Sequence, residues 1–110
     1  MTRSETDEPM VCTLDAIDPH ARERHQELGA ALTERLAGVD ELENGFALRY
    51  AADSAFFVGL AEWATLERQC CPSLTFELRL PSGEGEMELR LTGGEGVKAF
   101  LEAEVGLTAA

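Results

Sequence analysis

The sequence predicts an α+β domain: a small mixed or antiparallel sheet of about four strands, helices on one face, in the order β-α-β-α-β-β-α. Three observations carry this. Apolar side chains alternate with polar ones in short stretches, most plainly Leu74-Thr75-Phe76-Glu77-Leu78 and Met87-Glu88-Leu89-Arg90-Leu91. Two longer stretches repeat apolar residues at the spacing of a helix face. Turn and capping signals fall between the two kinds of stretch.

Met10-Val11-Cys12-Thr13-Leu14-Asp15-Ala16 alternates, which predicts a short strand with Met10, Cys12, Leu14 and Ala16 on its apolar face. Asp18 before Pro19 is a helix start, a side-chain acceptor followed by a residue whose missing N–H costs nothing there. The helix should run to Ala37 and be closed by Gly38. Its stripe is Ala21, Leu28, Ala31, Leu32 and Leu36, with His25 inside it. Asn44-Gly45 marks a turn, after which Phe46, Leu48 and Tyr50 alternate as a strand. Asp53 caps a second helix carrying Phe56, Phe57, Leu60, Ala61, Trp63, Ala64 and Leu66 up to Cys70-Cys71-Pro72. Proline disfavours helix at the residue before it, which puts the boundary at Cys71. The hairpin from Leu74 to Leu91 turns at Pro81-Ser82-Gly83-Glu84-Gly85, and Val97, Phe100, Leu101 and Val105 make a short closing helix.

The chain of 110 residues has room for one modest core. Residues 10–106 are expected to form that domain, with 1–9 a disordered acidic tail and 107–110 a second tail. No apolar run is long enough to span a bilayer, and the polar start does not read as a secretory signal. A formal net charge of −12 repels phosphate backbones and anionic membranes, so neither nucleic acid nor membrane is an expected partner. Three cysteines are an odd count, which argues for reduced thiols and a cytoplasmic location.

Chemistry should centre on Cys70 and Cys71. Thiolate is the form that binds soft cations and attacks electrophiles. Arg68 nearby favours thiolate, whereas the negative end of the helix dipole opposes it, so a strongly activated nucleophile is not expected. Convergence of Cys12 with the pair would make a trigonal sulfur site for As(III) or Hg(II), and His25 as fourth ligand would complete a tetrahedron for zinc. Neighbouring side chains on a helix diverge, which makes adjacent cysteines an awkward chelate, and no Cys-x-x-Cys occurs. Each cysteine also has a plain reading as a small buried hydrophobe.

His25 is read either as a core histidine bonded to a backbone carbonyl or as a ligand. Glu67, three and four residues before the thiols, is a proton donor, a hard ligand or, most simply, a solvated partner of Arg68. Trp63 with Phe56 and Leu60 belongs to the core, His20 to the surface. Gly93-Gly94-Glu95-Gly96 lacks the Lys-Ser/Thr of a phosphate loop and reads as a turn, so no nucleotide is expected.

Cys12-Thr13-Leu14, Arg24-His25, Leu66-Glu67-Arg68 with Cys70-Cys71-Pro72, and Leu91-Thr92-Gly93 with Glu95-Gly96-Val97-Lys98 together resemble a family of small bacterial proteins of about this length. That resemblance spans Cys12 to Leu101 and brings no activity with it. The adjacent cysteines alone are similar to those of mercury- and arsenic-handling proteins. With a nearby acid they resemble organomercurial lyases, which cleave a carbon–mercury bond with two thiols and a carboxylate.

The leading expectation is therefore a protein that binds a soft metal or metalloid (Hg, As or Zn) or a small thiophilic ligand, with Cys12, Cys70, Cys71 and His25 as ligands. One alternative is a thiol-dependent redox or organometal-cleaving enzyme using Cys70, Cys71 and Glu67. The other is a small interaction module whose cysteines are structural. The two edges of a small sheet leave room for a homodimer.

Overall fold

Asp18 opens the first helix, its side chain accepting the His20 backbone N–H at 2.8 Å. The computed structural model describes residues 17–83 and 85–105. The predicted strand at 10–16 and both tails lie outside these. The helix α1, Pro19–Glu34, ends earlier than its periodicity predicts. The reason is tertiary: the Ala37 N–H donates to the Arg49 carbonyl at 2.8 Å, so the chain has already joined the sheet.

Directly after α1 comes a strand that apolar periodicity does not predict, β1 at Gly38–Leu42. It pairs antiparallel with β2 at Gly45–Tyr50, and Glu43-Asn44 turns between them. Helix α2, Ser54–Cys70, starts at Asp53 as predicted, with the Phe56 N–H donating to the Asp53 carboxylate. Strands β3, Thr75–Arg79, and β4, Met87–Thr92, form the predicted hairpin, and α3, Val97–Phe100, leads into a wider π-type turn over Leu101–Val105. The sheet order is β1-β2-β4-β3 and every pairing is antiparallel.

Register explains the core. Val39, Leu48, Leu89 and Leu78 form one cross-strand row, and Phe46, Leu91 and Phe76 another on the same face. These rows join Leu28 and Leu32 of α1 with Leu60, Trp63 and Ala64 of α2 in one apolar cluster. The opposite face carries Arg49, Glu88, Arg79 and Arg90, tied by ion pairs such as Arg90–Glu88 at 2.7 Å. Such alternation is what an antiparallel sheet with one solvated face requires. Among the described residues no helix is long and apolar enough to cross a membrane.

Candidate functional site

Helix α2 supplies most of the site. Its buried residues are Leu60, Trp63, Ala64, Glu67 and Cys70, a single stripe at helical spacing. Glu67 is therefore directed inward. The solvated pair with Arg68 read from the sequence does not form: Arg68 lies about 100° further round the helix and is exposed. Glu67 meets His25 of α1 instead, with Oε1 2.7 Å from Nε2. A carboxylate inside a core needs such a partner, because leaving it unpaired is costly. The His25 ring also stacks on Trp63, the planes 8° apart and the centroids 6.4 Å apart.

The helix ends where the sequence predicts. Cys70 is its last residue and Cys71 its cap, with φ −127° and ψ 72°, ahead of Pro72. The Cys71 N–H still donates to the Glu67 carbonyl, at 2.7 Å. Because Cys71 has left helical dihedrals, its side chain does not continue round the helix. The expected divergence of adjacent side chains is thus overturned: both cysteines are buried, and their sulfurs lie 3.4 Å apart.

A Glu67 carboxylate oxygen, the Cys70 Sγ and the Cys71 Sγ all fall within 4.8 Å of one another. His25 stands behind this cluster, on Glu67. Cys12, the other sulfur named from the sequence, lies outside the described residues. Cys71 departs from the expectation of reduced thiols, since it is disulfide-bonded, while Cys70 keeps a titrating thiol.

Electrostatics follow from placement. Burial pushes the Cys70 thiol up from 9.0 to about 11, and the negative charge of Glu67 adds to the rise. No activated nucleophile results. The arrangement gathers a carboxylate and sulfur atoms in a buried corner, where a cation would relieve the electrostatic cost of forming the thiolate.

His25 and Glu67 each occupy an apolar helix stripe. That signal is present in the sequence, although periodicity alone does not pair the two residues. Two polar residues on facing stripes are best satisfied by each other. No protein-family model, curated protein or solved structure matches the chain.

Proposed function

We propose that the protein, once the disulfide at Cys71 is reduced, binds a soft metal or metalloid ion, Hg(II), As(III) or Zn(II), through the thiolates of Cys70 and Cys71. Glu67 supplies an oxygen donor, His25 orients Glu67 from behind, and Cys12 is the candidate third thiolate. The observation supporting this reading is the approach of a carboxylate oxygen and two sulfurs to within 4.8 Å. Thiolates on a common ion at about 2.3 Å each can be no more than about 4.6 Å apart, and the 3.4 Å between the two sulfurs fits within that limit. A histidine bonded to a ligating carboxylate is a usual way to hold such a donor in place.

A second reading, thiol–disulfide exchange, is favoured by one observation: the Cys70 thiol sulfur lies 3.4 Å from the disulfide-bonded Cys71 sulfur. It ranks lower because the raised Cys70 pKa disfavours the attacking thiolate.

Native mass spectrometry of the reduced protein with one equivalent of Zn(II), Hg(II) or As(III) tests the first reading. One retained ion is expected, lost in Cys70→Ser and Cys71→Ser. Equal uptake by a variant with Cys12, Cys70 and Cys71 all changed to serine would refute the proposal.

A further inference from the structure

The two outer strands of the sheet, β1 and β3, differ in what they offer a copy of themselves. Strand β1 carries Asp40 and Glu41 and no cation, so pairing it with its own copy gathers carboxylates with nothing to oppose them. Charge of this kind is one way an exposed edge is kept unpaired. Strand β3 reads Thr75-Phe76-Glu77-Leu78-Arg79 and runs straight on to Leu80. We propose that β3 is an interface between two copies of this chain, paired antiparallel about a two-fold axis at Leu78, which joins the two four-stranded sheets into one. The inference does not depend on metal binding.

Three observations support it. The first is register. A two-fold axis normal to the sheet must pass where a residue faces its own copy, so only the choice of that residue is open. Centred on Glu77, the strands would set two carboxylates face to face, and like charges directly opposite destabilise a pair. Centred on Phe76, they would set Thr75 against the partner's Glu77 and form no ion pair. Centred on Leu78, they bring Glu77 opposite the partner's Arg79, Arg79 opposite the partner's Glu77, and Phe76 opposite the partner's Leu80. Each of these pairs is matched in character, and two opposite-charge pairs form at once. Arg79 already reaches Glu88 of its own sheet at 3.3 Å and is 59% exposed, so the partner's carboxylate joins an existing network.

The second is exposure. Among the described residues the exposed large hydrophobics are Val58 at 66% and Leu80 at 54%, and both belong to this side of the molecule. Leu80 continues the alternation of Phe76 and Leu78. Val58 shares a face of α2 with Ala61, Thr65 and Arg68. Between that face and β3 lies a groove of about 420 Å³, its walls including Ala61, Ala64, Leu74, Phe76 and Leu78. A copy joined at β3 lays its own α2 beside this groove and takes the apolar surface out of water.

The third is charge. Chains of net charge −12 repel each other unless they meet where acidic groups are sparse. At this edge Arg68 and Arg79 accompany Glu77, and Arg68 forms no ion pair among the described residues.

Sedimentation of the full chain, reduced so that no disulfide can link copies, tests the interface. Wild type should form a species of twice the 12.0 kDa chain mass. Glu77→Arg and Arg79→Glu should each raise the dissociation constant by about tenfold or more, because two facing pairs turn repulsive together. An equimolar mixture of these two variants should recover the dimer, since each supplies the charge the other now lacks. Leu80→Ser lies beyond the residues that pair with β4, so it keeps the fold and should weaken the dimer several-fold. A wild type that stays monomeric at submillimolar concentration overturns the interface. So does a dimer left intact by Leu80→Ser and by both charge variants, which would place the contact on another surface. A mixture of the two charge variants that remains monomeric overturns the register at Leu78.

Discussion

His25 and Glu67, 42 residues apart in sequence, meet at 2.7 Å between α1 and α2 with side chains only 14% and 12% exposed. Either residue alone would leave a polar group stranded in the core. His25→Ala and Glu67→Ala should each cost about 1–3 kcal/mol, as expected when a buried partner is removed. The double variant should cost clearly less than the sum. Urea denaturation of the four proteins measures this, and strictly additive losses would show that the two side chains do not support each other.

The thiol at Cys70 should be slow to alkylate at neutral pH, its rate rising towards the pKa of about 11. Glu67→Gln removes the neighbouring negative charge and should move that rise to lower pH. Alkylation of a Cys71→Ser variant, followed by mass spectrometry, isolates the effect. A profile centred at the ordinary 9.0 in both proteins would contradict it.

The same shift sets a pH dependence of stability. The folded pKa lies above the ordinary value, so folding holds a proton that the unfolded chain releases. The contribution is fully present below pH 9.0 and is lost as pH rises through about 11. Wild type should therefore lose more stability than Cys70→Ala between pH 8.5 and 10.5, a window of about two units around the ordinary thiol pKa. Parallel losses in chemical denaturation would remove Cys70 as the cause.

Gly29 sits inside α1 with space for a methyl group, so Gly29→Ala should raise stability by about 0.5–1 kcal/mol through helix propensity. The denaturation midpoint should rise with its slope unchanged. Gly45 is the opposite case: a Cβ there would run into the Leu91 carbonyl oxygen on β4, with backbone on both sides of the clash. Gly45→Ala should cost about 1–3 kcal/mol, the range for forced overpacking. A neutral Gly45→Ala would mean the two strands can separate locally without loss.

Reduction should decide metal uptake. With Cys71 in its disulfide, one thiolate is withheld from the cluster. Protein treated with a dithiol reductant should gain thermal stability from added Zn(II) or Hg(II), about 2.7 kcal/mol at a hundredfold excess of ion over Kd, and untreated protein should gain far less. Equal stabilisation of both forms would place the ion elsewhere.

Local chemistry made much of the fold legible. Asp18-Pro19, Asp53, the alternating hairpin and Cys71 before Pro72 each act within a few residues, and the structure places α1, α2, β3 and β4 on those signals. Strand β1 was not legible. Asp40 and Glu41 interrupt its apolar character, and they are accommodated because Arg49 of the neighbouring strand and Lys98 of α3 pair with them across space. The candidate site divides in the same way. Two thiols at a helix end followed by proline are a matter of sequence, whereas the sequence reading leaves Glu67 in solvent beside Arg68 and the structure puts its carboxylate on the inner stripe of α2. Only the packing of α1 against α2 decides that this carboxylate meets His25 rather than Arg68. Only the departure of Cys71 from helical dihedrals turns its sulfur towards that of Cys70. Neither outcome could be read along the chain, because short-range periodicity specifies which face a residue occupies, whereas its partner depends on another element packed against that face.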